Sequence, residues 1–300
     1  MDSADAKSNF SFIKLVLARI VAAHHPERPE SWLRLGHAYE QYGLHRESDR
    51  NLFRKAIAAY RYALSLKPDY AQAWAGVGAA HTRLNQRGYW FGDNRLQEQL
   101  SEEKQPGLQI AADAYQQAIK IEPDQAVTWN HLGFVYGQLD RLDDEVSAYR
   151  KAVEIKPDYV EAWQNLITVY YNRREFDQVA GVCQEAVKHV PGDAHVWYDL
   201  GYANQQILKL NEAAQAYQSA LKLKTDFPGP WVNLGIVYAK LGRTDDAVRL
   251  YSTIMDSKMK EKDKFYLAVI ELKSFEQGRA VLDRLKMLHP RFMAKEKLYA

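Results

Sequence analysis

Few side chains in this sequence stand in patterns that covalent chemistry needs. There is no H-E-x-x-H pair of metal ligands, no pair of cysteines, no G-x-S-x-G nucleophile turn and no Walker phosphate loop. His24 and His25 lie just before Pro26. Two imidazoles at that point read as caps for the last carbonyls of a helix rather than as metal ligands. Asp140, Asp143, Asp144 and Glu145 crowd one stretch but lack the spacing of a calcium loop. They read as capping and dipole-complementing acids at a helix start. The single cysteine, Cys183, excludes a disulfide framework. The expectation is therefore no enzyme, no cofactor and no metal. What remains is recognition by amides, hydroxyls and rings. The most concentrated aromatic stretch is Gly88-Tyr89-Trp90-Phe91-Gly92, which must either pack against its own chain or touch a partner.

The elements that would position such groups are written in a strict period. Trp129, Trp163, Trp197 and Trp231 are 34 residues apart, and Leu132, Leu166, Leu200 and Leu234 follow each by three. Gly133, Gly201 and Gly235 come next, then Tyr136, Tyr170 and Tyr238. Twenty residues past each Trp stand Tyr149, Cys183, Tyr217 and Tyr251. Ala152, Ala186 and Ala220 follow, and Pro157 and Pro191 close two of the units. Cys183 thus occupies an aromatic position and reads as a packed, inert thiol.

This W-x2-L-G-x2-Y…A-x3-Y-x2-A-x4-P pattern resembles the tetratricopeptide repeat, whose period it shares. The resemblance implies an all-α, right-handed superhelical solenoid of antiparallel helix pairs, with the first helix of each pair lining a concave groove. It points Arg34, His37, Gly76, Ala79, Asn130, His131, Phe134, Asn165, Thr168, Asn172, Tyr198, Asp199, Tyr202, Asn233 and Ile236 inward. Of these, Arg34, His37, Asn130, His131, Asn165, Asn172, Tyr198, Asp199, Tyr202 and Asn233 are the candidate peptide contacts. Such groups can hydrogen-bond an extended backbone and lay aromatic area on it. Two binding modes of the family transfer poorly. A clamp for acidic chain ends needs Lys, Asn, Asn, Lys and Arg, and the matching positions hold Asn130, Phe134, Asn165, His195 and Asp199. An asparagine ladder like that of the O-linked N-acetylglucosamine transferases is matched by Asn165 and Asn233. Arg34, Gly76, His131 and Asp199 depart from it.

Read in order, the chain gives about six full repeats between incomplete ends. Residues 1–28 hold a capping helix on Phe10, Ile13, Leu17, Ile20 and Val21, a half-repeat in the place of a second helix. Repeat one, 29–70, carries eight extra residues around 44–54, which would lengthen its second helix by about two turns. Repeat two, 71–125, carries an insertion over 85–106 with the three aromatics, a short polar helix at 95–104 and a Pro106-Gly107 break. Repeats three to six are 126–159, 160–193, 194–227 and 228–261. Residues 262–300 form a degenerate seventh repeat and C-terminal cap. The Pro-Asp steps end one helix and let Asp69, Asp124 and Asp158 cap the next, with a capping box at Asp158-x-x-Glu161. In repeat four Ile167 replaces Gly, Val179 replaces Ala and Cys183 replaces Tyr, a compensating exchange of volume.

Composition, 47% apolar and 26% charged, argues against disorder. A net charge of +2 gives no reason to expect specific nucleic-acid binding. Residues 67–239 hold sixteen basic and twenty-two acidic side chains between basic ends. That trough would favour a basic ligand, although a solvated helical surface is the plainer account. No apolar run spans a bilayer. The apolar stretch at 12–23 follows Asp2 and Asp5, where a secretory signal would be positive, so a cytoplasmic location is expected. The function expected is a non-catalytic adaptor or scaffold that binds a protein or peptide in the groove. The alternatives are self-association through the convex face, the ends or Tyr89, Trp90 and Phe91, and a substrate-recruiting part of an enzyme complex.

Overall fold

A computed structural model describes residues 3–45, 50–85, 94–256 and 265–290. Among these the protein is all-α, with fifteen helices following one another in pairs. Two compact units divide at 156/157. The first contains α1 (Ser3–His24), α2 (Pro29–His45), α3 (Arg50–Leu66), α4 (Ala71–Asn85), α5 (Asn94–Ile121), α6 (Ala126–Gln138) and α7 (Leu142–Ile155). The second contains α8 (Val160–Asn172), α9 (Phe176–His189), α10 (Ala194–Gln206), α11 (Leu210–Leu223), α12 (Pro228–Lys240), α13 (Thr244–Asp256), α14 (Phe265–Lys273) and α15 (Glu276–Leu288). The expectations placed on Tyr89, Trp90 and Phe91, on 257–264 and on 292–300 lie outside the described residues.

The offset of six residues between each proline and the next tryptophan has a physical cause. The indole N–H of Trp32, Trp74, Trp129, Trp163 and Trp197 donates to the carbonyl of Pro26, Pro68, Pro123, Pro157 and Pro191, at 2.8–2.9 Å. Trp231 makes the same bond to Thr225. The proline stops the preceding helix because it has no N–H to donate. Its own carbonyl is then captured by the ring that starts the next helix.

The Asp caps expected of the Pro-Asp steps do not form at α6 and α8. Their N-cap residues are Gln125 and Tyr159, with no side-chain cap bond. The cap falls two residues after the proline, so Asp124 and Asp158, one residue after it, lie too early to reach the first free N–H groups. In Pro191-Gly192-Asp193 the acid is at the right step, and its side chain accepts from His195 N and Val196 N. Two residues beyond the end of each first helix from α6 to α12 stands a residue of positive φ: Asp140, Arg174, Leu208 and Gly242. The next residue's N–H returns to the carbonyl five residues before it, as in Arg141 to Tyr136 and Lys209 to Asn204.

The close helix contacts are glycine–tyrosine pairs. A Cβ on Gly36, Gly78, Gly133, Gly201 or Gly235 would lie 2.2–2.9 Å from ring atoms of Tyr60, Tyr115, Tyr149, Tyr217 or Tyr251. All five rings are buried. In the α8/α9 pair the same positions hold Ile167 and Cys183, both buried.

Two expectations about helix lengths are corrected. The eight extra residues of the first full repeat are not added to its second helix alone. Both α2 and α3 have 17 residues, against 13 in α6 and 14 in α7. The Pro106-Gly107 break does not occur, because α5 runs through it for 28 residues. A proline inside a helix forfeits one hydrogen bond. Here the chain beyond it is fixed by burial of Leu108, Ala111, Ala112 and Tyr115 in the core of the first unit. Gly107 also fits tightly against the Asn85 side chain.

The N-terminal helix has apolar residues on two faces. It buries Leu15 and Ala22 in the first unit's core, while Phe10, Phe12, Ile13, Val16, Leu17, Ile20 and Val21 remain exposed, which corrects the expectation that Phe10, Ile13, Leu17, Ile20 and Val21 form its packed face. At the other end α14 and α15 bury Val269, Leu272, Val281, Leu282 and Leu285 with residues of α12 and α13.

Candidate functional site

The side chain two residues after each repeat tryptophan is accessible wherever it is polar. Arg34 and His131 are exposed in the first unit, and Asn165, Asp199 and Asn233 are half-buried in the second. The positions one residue after the tryptophan differ. Asn130 is only 1% exposed, so the expectation that it contacts a peptide is corrected. It lies about 100° around the helix from the accessible position. Gly76 is buried against the Tyr60 ring, and Ile236 is buried in the second unit's core. Thr168 is exposed, but its hydroxyl donates back to Gln164 O.

In the first unit His37 rests edge-on to Tyr60, with ring centres 5.5 Å apart, and partial burial lowers its pKa. A cavity of about 420 Å³ beside it is lined by Lys14, Leu17, Val21, Arg34 and His37 among others. His131 lies 5.8 Å from the Tyr115 ring.

The second unit gathers the richer set. Tyr198, Asp199 and Tyr202 follow one another on α10 at helical spacing. The Tyr202 ring is 5.5 Å from Tyr171 and 6.0 Å from Phe176, and these two meet edge-to-face at 6.0 Å. Tyr198 packs 5.1 Å from Phe227 and 5.8 Å from Tyr217. Its hydroxyl accepts from Asn233 Nδ2 at 3.3 Å. Asn172, at the end of α8, is exposed. Tyr171 and Phe176 are absent from the residues that the repeat pattern points inward. Their one signal is the doubled Tyr170-Tyr171, of which the pattern uses only the first.

Burial, and after it the charge of Asp193, push the Asp199 carboxyl up to about 7. Asp193 itself is occupied, accepting from the start of α10 and from Gln164 Nε2. A second cavity, of about 550 Å³, is lined by turn residues such as Val190, Gly192 and Lys224 rather than by the tyrosines. Cys183 is buried, which raises its thiol pKa well above the ordinary value and leaves it inert. Among the described residues no group of three or more His, Cys, Asp or Glu is placed to hold a metal. No described helix is long and apolar enough to cross a membrane.

Tetratricopeptide-repeat models match residues 126–159 and 231–265, and a further TPR-repeat model matches 209–242. The chain is a tetratricopeptide-repeat protein. Repeats of this family form scaffolds for contacts between proteins and are in general not enzymes. No curated protein matches the chain. Among solved structures this tetratricopeptide-repeat protein is similar to YrrB, described as having an unusual peptide-binding site, at 19% identity. That match covers 60% of this chain and 94% of YrrB, with a TM-score of 0.45. The protein TTC0263 from Thermus thermophilus is 18% identical over 64% of this chain and 89% of its own, with a TM-score of 0.46. MamA from Desulfovibrio magneticus is 18% identical over 54% and 93%, with a TM-score of 0.42.

Proposed function

We propose that this protein is a non-catalytic scaffold that holds an extended protein segment along the first helices of its second unit. The observation that carries this reading is the row of half-exposed Asn165, Asp199 and Asn233, one per repeat, beside Tyr198 and Tyr202. An amide can pair with both the N–H and the C=O of a passing backbone. Tyrosine adds contact area at little cost in entropy. On a library of 12-residue peptides, the double variant Asn165→Ala/Asn233→Ala is expected to weaken binding about 5- to 100-fold, as two net hydrogen bonds imply. Helicity should be retained, with the thermal midpoint lowered only modestly by loss of the Asn233–Tyr198 bond. Equal affinity in the double variant would remove the reading.

A second reading, self-association through the N-terminal end, is favoured by the exposed apolar residues of α1. Seven large apolar side chains on one helix are the kind of patch that a second copy covers. Replacing Phe10, Ile13 and Leu17 by Ser should then shift the light-scattering mass toward the 34.5 kDa monomer at fixed helicity. A wild-type mass already at the monomer would exclude it.

A further inference from the structure

We propose that Asp199, with Tyr171, Tyr198 and Tyr202 beside it, is the subsite for a protonated lysine or arginine side chain of the bound segment. This rests on the scaffold reading above and gives the segment its chemistry.

The charge of Asp199 is unmatched within the fold. Asp199 is half-buried on α10, and among the described residues no hydrogen-bond donor and no cation partners its carboxylate. The charge acting on it is that of Asp193, of the same sign. A carboxylate drawn out of water without a partner is unfavourable for the fold. The same position in the neighbouring repeats is served by Asn165 and Asn233, which carry no such penalty. An acid at this step therefore points to a cation that arrives from outside.

Tyrosine rings stand around this carboxylate. The rings of Tyr171 and Tyr202 lie 5.5 Å apart. Tyr171 and Tyr198 both sense the charge of Asp199. Faces of tyrosine attract ammonium and guanidinium groups, and apolar rings cover the alkyl stem of either side chain. Asn165 and Asn233 stand one repeat before and one repeat after, where the backbone on each side of the basic residue would be held. The acidic excess of residues 67–239 attracts such a segment at longer range. An anionic segment would be repelled. A metal ion finds only one free carboxylate, because Asp193 is engaged by the helix start and by Gln164.

The raised pKa adds a signature. In the free protein at neutral pH, Asp199 is partly protonated, and a bound cation returns it to the ionised form, releasing a proton. Affinity must therefore rise with pH through 7. The titratable groups facing Asp199 are Asp193, Tyr198 and Tyr202 on its own helix and the turn before it, Tyr171 on α8 and Cys183 on α9. Cys183, Tyr171 and Tyr198 are pushed upward, away from this window. His195 is the one imidazole on α10, so the pH step is measured in His195→Gln as well.

The test uses the whole chain on an array of random 12-residue peptides, with wild type and Asp199→Asn compared. Wild type should select peptides with Lys or Arg at a fixed register, and Asp199→Asn should bind without that preference. For one selected peptide, replacing its Lys by norleucine should weaken wild type at least tenfold and leave Asp199→Asn within about twofold. Between pH 8 and pH 6 wild type and His195→Gln should lose about tenfold in affinity, following the ionised fraction of a group titrating near 7, and Asp199→Asn should stay flat. Peptides bound with no basic preference, or a preference that survives in Asp199→Asn, would overturn the subsite and leave the scaffold reading standing. No bound peptide for either protein would overturn both.

Discussion

Cys183→Tyr is expected to destabilise the protein by about 1–3 kcal/mol, the usual range for overpacking a core, with Ile167→Gly beside it recovering much of that loss. Five helix pairs solve the same contact with a glycine on the first helix and a tyrosine ring on the second. In Gly133/Tyr149, Gly201/Tyr217 and Gly235/Tyr251 the two are sixteen residues apart, as Ile167 and Cys183 are. A ring placed at 183 must enter the volume that Ile167 fills, and both sites are buried with nowhere to expand. Ile167→Gly alone should cost about 3–5 kcal/mol, from the lost side chain and the flexible backbone. Together the two changes rebuild the pair used elsewhere, so their combined loss should fall well short of the sum. Guanidinium denaturation of the four proteins, read by circular dichroism, measures the coupling. Strict additivity would show that the exchange is not a compensation.

The fold was legible because a 34-residue period fixes several independent positions at once. Trp, Leu, Gly, Tyr and Ala each have a separate packing reason, and a helix pair that satisfies all of them leaves little choice. Local punctuation was less legible. Asp158 looks like a cap in isolation, yet the indole bond of Trp163 to Pro157 fixes where α8 begins, and the acid is then one step early. Pro106 looks like a break, yet the buried residues after it hold α5 continuous. The candidate site divides in the same way. The polar residues two after the tryptophan, from Arg34 to Asn233, are accessible, whereas Gly76 at the same step is buried against the Tyr60 ring. Asn130, one position earlier, is buried, whereas Tyr198 at the same step of its own repeat is half-exposed. Tyr171 and Phe176 reach Tyr202 from the end of one helix and the start of the next, and no repeat position marks that contact.

The same carboxylate that offers a charge to a partner should weaken the fold as pH rises. Asp199 has a folded-state pKa of about 7 against an ordinary 3.8, with burial the larger cause and Asp193 the lesser. Between those values the folded protein keeps a proton that the unfolded chain has released. Its favourable contribution is therefore complete below about pH 4 and is lost as pH rises through 7. Above that, an ionised carboxylate is held out of water without a partner. Asn cannot ionise, so Asp199→Asn should match wild type at low pH and become progressively more stable than it toward pH 8. A shift of about three units corresponds to about 4 kcal/mol at full burial, and the partial solvent access of this group brings the expected gain to about 1–3 kcal/mol. Glu145, raised to about 7 by burial, titrates in the same window but is present in both proteins and cancels in the difference. Thermal midpoints at pH 5, 6, 7 and 8 give the comparison directly. A difference that does not grow with pH would mean that Asp199 is satisfied in the folded protein. A growing one would identify it as a residue that stability alone would replace with Asn, the trade expected of a binding group.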